Sequence, residues 1–183
     1  FVQSRLREGK LTFLYSERLY KQGYEAWKLP MRLWRFWRKY GRYKSLYLLC
    51  ASAFVAADYA KTYTFLNKAY KWGYFPETHH YDNIETLLEQ KESDSILWAG
   101  RFLDWKHPEF VVEVARRLKA ENYHFHIQML GSGEKWDAIA QLVRDYDLCD
   151  QVQLLGAVPA EEVRKYMDAA SIFLFTSDRN EGW

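Results

Sequence analysis

An α/β fold, a parallel sheet with flanking helices, is predicted by two features: short, largely apolar runs at regular intervals after Ser95, and segments of helical periodicity between them. The runs lie at 96–99, 125–130, 152–155 and 172–175. Those at 96–99 and 172–175 are wholly apolar and the other two are interrupted only by His126, Gln128 and Gln153; such runs suit strands buried on both faces, as in a parallel sheet. Between the first two, Phe110, Val111, Val114, Ala115 and Leu118 form an apolar stripe opposite Glu113, Arg116, Arg117 and Lys119. Trp136, Ile139, Ala140 and Val143 form a second stripe. Val163, Tyr166, Met167 and Ala170 form a third, after Pro159 at a first helical position. The order β-α-β-α-β-α-β implies right-handed crossovers in a doubly wound sheet, with ligands beyond the carboxyl ends of its strands.

The preceding segment is less regular. Strands are expected at 11–15 and 46–49, a basic helix at 29–40 and a second helix at 53–66. Gly73-Tyr74-Phe75-Pro76 is turn chemistry, and a short helix near 84–88 leads onward. A domain boundary near Phe75 divides the chain into 1–75 and 76–183.

Charge supports that division. The 183 residues carry a net charge of only +2, but residues 1–75 hold a balance of +11 and residues 76–183 one of −9. Twenty of the 33 aromatic residues also fall in the first part. An apolar content of 49% with two cysteines, nine glycines and four prolines excludes a disordered tail, a collagen-like repeat and a disulfide scaffold. No apolar run approaches the roughly 18–20 residues of a membrane-spanning helix. Cys50 and Cys149, far apart and beside apolar neighbours, read as two buried thiols in a reducing, cytoplasmic compartment. Phe1 stands where a start methionine would, without a signal pattern, so the sequence reads as an internal piece.

Candidate chemistry lies at the strand ends. The first run is followed by Gly100-Arg101, then Lys106 and His107-Pro108 opening a helix. A glycine, two cations and a helix N-terminus form an anion site suited to a diphosphate; the alternative is a pair of ordinary loop cations. The second run ends in Gly131-Ser132-Gly133, which lacks the third glycine of a dinucleotide fingerprint, so these are either phosphate-bordering or plain turn glycines. Gly156-Ala157-Val158-Pro159 is a third small-residue loop on the same edge.

Taken together, Leu97-Trp98-Ala99-Gly100-Arg101, Lys106, Met129-Leu130-Gly131-Ser132-Gly133, Leu154-Leu155-Gly156, Val163 to Asp168, and Phe175-Thr176-Ser177 through Glu181-Gly182 resemble the donor domain of glycosyltransferase family 4. The resemblance covers about residues 95–183. It implies a GT-B fold of two Rossmann-like domains, present here incompletely, and a retaining, hexosyltransferase-type enzyme. The donor is then a nucleotide-diphosphate sugar and the acceptor a hydroxyl on a saccharide or a lipid-linked molecule. Arg101 and Lys106 would hold the diphosphate and stabilise the departing nucleotide, with no metal and no cofactor. Glu181 would be the first carboxylate of an E-x7-E motif, with Gly182 in the same turn; the second carboxylate would fall beyond Trp183. Gly100, Gly131, Gly133 and Val158 would border the donor. Residues before 76 match only by position, as the end of an acceptor domain. The fragment alone would be inactive. A sugar-nucleotide epimerase of the same fold is the nearest alternative.

Other constellations are weaker. Asp145-Tyr146-Asp147 spells D-x-D but closes a helix, away from the strand ends. His124 and His126, like His79-His80, lack a third ligand for a metal. His107 suits a capping region better than a phosphate contact. Lys28, Arg32, Arg35, Arg38, Lys39, Arg42 and Lys44 occur with no acid between Glu25 and Asp58. Leu29, Leu33, Phe36, Trp37 and Tyr40 gather on one side of that helix, which fits either an anionic membrane surface met through residues 28–44 or a core-facing helix. A non-catalytic membrane- or polyanion-binding module is therefore a second function class. Nucleic acid is not expected, because no recognised binding module accompanies the patch.

Overall fold

Leu46, Leu48 and Cys50 alternate with Tyr47 and Leu49, and in the computed structural model the first three are buried while the other two are half-buried. They form the central strand of the first of two compact units, one within residues 2–78 and the other within residues 80–178. The structure describes residues 2–21, 23, 26–78 and 80–178.

The first unit contains α1 (Val2–Arg7), β1 (Thr12–Ser16), α2 (Leu29–Phe36), β2 (Leu46–Cys50), α3 (Val55–Ala60) and β3 (Ala69–Lys71). Its strands are parallel in the order β1-β2-β3, with Thr12 opposite Leu46 and Leu48 opposite Ala69. A core of Leu6, Leu48, Val55, Tyr59 and Phe65 takes Phe36 and Tyr40 against it. Asp58 is buried at 1% exposure, and its carboxylate accepts from Arg18 Nε at 3.2 Å and from the Tyr20 amide at 3.4 Å. The Arg18 guanidinium also lies 4.8 Å from the Phe54 ring centre, so one buried acid joins the segment after β1 to α3.

Two expectations change in this unit. The helix expected at 53–66 ends at Ala60. The Thr62 and Thr64 hydroxyls donate to the Tyr59 carbonyl at 2.7 and 3.2 Å, capturing an acceptor that a continuing helix needs. Left-handed Tyr63, Phe65 and Asn67 then turn the chain into β3, a strand not anticipated. On the basic helix, Leu29, Leu33, Phe36 and Tyr40 are half-buried, with Phe36 and Tyr40 packed on the core as in the core-facing alternative, but Trp37 is exposed. After Phe36 the helix widens into a π turn, Trp37–Gly41, closed by an Arg42 amide bond to the Trp37 carbonyl, and this shift in winding carries Trp37 off the packed side.

The second unit contains α4 (Ile84–Glu89), β4 (Glu92–Ala99), α5 (Pro108–Ala120), β5 (His126–Leu130), α6 (Trp136–Asp145), β6 (Val152–Gly156), α7 (Ala160–Ala169) and β7 (Ala170–Phe173). All four strands are parallel, in the order β6-β5-β4-β7. The unbroken apolar run in β4 has a direct explanation. Ile96 and Trp98 enter one core with Val111, Ile127 and Ile139, while Leu97 enters another with Leu130 and Ala170, against which Val163 and Tyr166 pack. Both faces are covered, as the predicted α/β class requires.

Details differ from the periodicity. On α5 the buried residues are Pro108, Val111, Val112 and Ala115, and Phe110 is exposed, its ring stacked on His107 at 4.9 Å. Met167 is likewise exposed on α7, and Ala170 starts β7 instead of closing the helix. Phe175 lies beyond β7 and is exposed. Cys50 is buried as expected, but Cys149 is exposed in the turn after α6. Among the described residues no helix is long and apolar enough to cross a membrane.

Candidate functional site

The carboxyl ends of β4, β5 and β6 are joined through their backbones. Gly100 N–H donates to the Leu130 carbonyl at 3.0 Å, Phe102 N–H to Ser132 at 2.9 Å, and Gly131 N–H to Gly156 at 2.7 Å. The Lys135 amide returns to the Phe102 carbonyl at 3.1 Å. The three small-residue loops expected to converge do so. Gly131, at φ +128°, and Gly133, at φ +154°, allow this approach: an added Cβ would stand 1.8 Å from the Gly100 oxygen in the first case and 2.6 Å from the Phe102 oxygen in the second. Gly156, at φ +78°, faces open space and is needed for its turn alone. Val158 is partly buried against the core of Leu97 and Leu130.

The sequence-predicted cations lie on the loop after β4. Arg101 is exposed and, among the described residues, its side chain pairs with no carboxylate. Lys106 ends a short 3₁₀ turn, Asp104–Lys106, and its stem runs beside Gly100, where an added Cβ would stand 3.9 Å from Lys106 Cδ. Beneath the loop the aromatic rings of Trp98, Phe102 and Trp136 form a cluster, the first pair edge-on and the second tilted, with centres 5.0 Å apart at each step. Arg101 and Lys106 therefore stand on a rigid support at a sheet's carboxyl edge, where ligands bind in this class of fold.

Around the cations is a charge network that spacing did not suggest. His107 sits in the left-handed region at φ 47°, ahead of Pro108 at the start of α5. Its Nδ1 is 3.0 Å from Glu109 and its Nε2 3.4 Å from Asp178. Lys135 lies 2.8 Å from Asp104 and 3.2 Å from Glu109. The Asp104 contact raises the Lys135 pKa against the effect of burial, and Glu109 adds to the rise. Burial pushes the Glu109 carboxyl up, but its own backbone N–H, His107 and Lys135 together bring it below the ordinary value. His107 occupies the N-cap position of α5, but its ring makes no capping hydrogen bond and pairs with Glu109 and Asp178 instead.

The remaining candidates separate clearly. Glu181 and Gly182 lie outside the described residues, as do His79 and residues 179–180. Asp147 is left-handed at φ 53° after α6 and pairs with Lys119 at 2.9 Å, a helix-end contact. His124 and His126 meet Asp94 and Glu92 at 3.4 and 3.3 Å. Among the described residues no three potential ligands form a metal site.

Solved structures with this architecture include Anabaena Alr3699/HepE in complex with UDP, 12% identical with a TM-score of 0.67, covering 96% of this chain and 49% of that one. Another is WaaG, a glycosyltransferase involved in lipopolysaccharide biosynthesis, 16% identical with a TM-score of 0.62, covering 96% and 56%. At these identities the likeness is one of fold, the Rossmann-like fold of GT-B glycosyltransferases. In sequence, the chain is 34% identical over 82 residues to the amylovoran biosynthesis glycosyltransferase AmsK of Erwinia amylovora, covering 45% of this chain and 20% of that protein. It is 31% identical over 78 residues to the putative colanic acid biosynthesis glycosyltransferase WcaL of Salmonella typhimurium, covering 43% and 19%. The chain thus spans about a fifth of the curated relatives it matches. The family described as glycosyl transferases group 1 matches residues 81–183, more than half of the sequence and all of the loops just described. The chain belongs to the group 1 glycosyl transferases.

Proposed function

We propose that the whole protein transfers a sugar from a nucleotide-diphosphate donor to an acceptor hydroxyl with retention, and that the second unit binds the donor. The observation that carries this reading is the pair Arg101 and Lys106 beside Gly100, at the carboxyl edge of a parallel sheet. Cleavage of a glycosyl phosphate bond builds negative charge on the leaving diphosphate, and two fixed cations stabilise that charge more in the transition state than in the ground state. In this reading they supply the countercharge without a metal. Gly100, Gly131, Gly133 and Val158 offer backbone to the donor in this reading, and Glu181 and Gly182, outside the described residues, belong to the E-x7-E segment assigned to the donor sugar.

The first unit supports a further part of the reading, work at the cytoplasmic face of an anionic membrane on a saccharide or lipid-linked acceptor. Trp27, Met31, Trp34 and Trp37 are exposed along the basic helix, among exposed Arg35, Arg38, Lys39 and Arg42. That mixture suits a headgroup zone better than water.

Isothermal titration of the full-length protein with UDP tests the donor site. Arg101→Ala should weaken binding by roughly thirtyfold, the loss of a charge-assisted contact; unchanged affinity would remove the assignment. Product analysis with a labelled UDP-sugar separates transfer from epimerisation, since an epimerase converts the donor with no acceptor present.

A further inference from the structure

We propose that Thr176 is a positioning residue of the donor site, fixing the turn that carries Lys106 and docking the chain after β7 against it. The inference rests on the reading of Arg101 and Lys106 as diphosphate ligands.

Trp98 is 2% exposed, and an indole N–H at that depth requires an acceptor. Thr176 Oγ1 supplies it at 2.9 Å. The same hydroxyl donates its own proton to the Lys106 carbonyl. A hydroxyl can accept and donate at once, so Thr176 links the aromatic cluster under the loop to the main chain of Lys106.

The neighbouring bonds act in the same direction. The Asp178 amide donates to the Trp105 carbonyl at 2.9 Å, and the Asp178 carboxylate lies 3.4 Å from His107 Nε2. Trp105 and Lys106 close the 3₁₀ turn, where carbonyls lack partners within the turn, and the segment after β7 caps both. The Lys106 amide is itself bonded to the Leu103 carbonyl at 3.0 Å. Lys106 is therefore held at its N–H and at its C=O, while its stem passes beside Gly100. Fixing the backbone at both groups restricts the space that the Lys106 ammonium samples and so favours its contact with a diphosphate.

The test compares the full-length wild type with Thr176→Val, Thr176→Ser and Arg101→Ala, using UDP as the probe and amide hydrogen exchange as a second readout. Valine keeps the shape and removes both hydrogen bonds; serine keeps them. Thr176→Val should weaken UDP binding by about tenfold, as the loss of a buried hydrogen-bond partner predicts, and should speed exchange at residues 105–107 and 178 alone. Thr176→Ser should restore both to within about twofold of wild type. Wild-type UDP affinity in Thr176→Val, or failure of serine to rescue, overturns the proposal. Faster exchange throughout β4–β7 in the valine variant also overturns it, by assigning Thr176 to folding. If Arg101→Ala still binds UDP normally, the reading of the site itself falls. If Arg101→Ala loses binding while Thr176→Val does not, the role of Thr176 alone is removed.

Discussion

The α-hydrogen of Gly131 that a side chain would replace points at the carbonyl of Gly100, leaving 1.8 Å between that oxygen and any Cβ. The loops after β4 and β5 touch there, backbone to backbone, so relief would require the sheet edge to open. Gly131→Ala should therefore cost stability well beyond the about 1–2 kcal/mol of a left-handed alanine alone. Gly156→Ala, with a positive φ but open space around it, should cost only that amount. Urea unfolding of the two variants measures the difference, and equal losses would show that the close contact is not what makes Gly131 necessary.

Asp58 is the buried acid of the first unit. It accepts from Arg18 and from the Tyr20 amide, and Lys61 lies 3.6 Å from its other oxygen. Asp58→Ala leaves the guanidinium and the amide without their acceptor, an effect of about 3 kcal/mol for a broken buried pair. Arg18→Ala should cost less, because Asp58 retains the other two contacts and the Arg18 side chain is 24% exposed. Thermal unfolding of both variants should rank them in that order.

Much of the second unit is legible in its sequence, for a physical reason. A strand covered on both faces admits only apolar residues, so the run at 96–99 marks both the strand and its burial. Arg101 and Lys106 follow in the same way, because a glycine and cations after such a strand fall at its carboxyl edge. Single-element periodicity carries no information on the neighbour that covers a residue. Phe110 reads as core but leaves the packed side of α5, and Cys149 reads as buried but sits in a turn. The helix expected at 53–66 was cut short by threonine hydroxyls competing for one carbonyl, an effect that needs their side-chain positions. The bonds of Thr176 depend on β7 lying beside β4, an order set by tertiary packing and not by sequence adjacency. Glu181 and Gly182, legible through the resemblance, lie outside the described residues.

The carboxylate at the start of α5 predicts a pH effect. Glu109 titrates below its ordinary 4.5 in the folded chain, where its own backbone N–H, His107 and Lys135 outweigh burial. A lowered folded pKa contributes stability that is fully present above the unfolded value and is lost as the pH falls through the folded one. Glu109→Gln should therefore be less stable than the wild type at neutral pH. The gap should narrow below pH 4.5 and close once Glu109 is protonated in both states. Urea unfolding over a pH series reads this directly, and a gap independent of pH would assign the loss to packing.

The proposed membrane face makes a prediction in which charge and apolar area can be separated. Trp34 is 61% exposed and lies under the Arg38 guanidinium at 5.3 Å, while Arg35, Arg38, Lys39 and Arg42 are all exposed. Each cation near an anionic bilayer contributes about 1 kcal/mol, a term that salt screens, whereas insertion of an indole is insensitive to salt. The chain should pellet with phosphatidylglycerol-rich vesicles at low ionic strength and be largely released at high. Arg35→Glu with Arg38→Glu should abolish that binding, because two attractions become repulsions. Trp34→Ser should weaken it while leaving the steepness of its salt dependence unchanged. None of these side chains enters the core, so circular dichroism should show all variants folded. Failure of the folded wild type to bind anionic vesicles at low salt would refute the membrane face while leaving the donor site, in the other unit, unaffected.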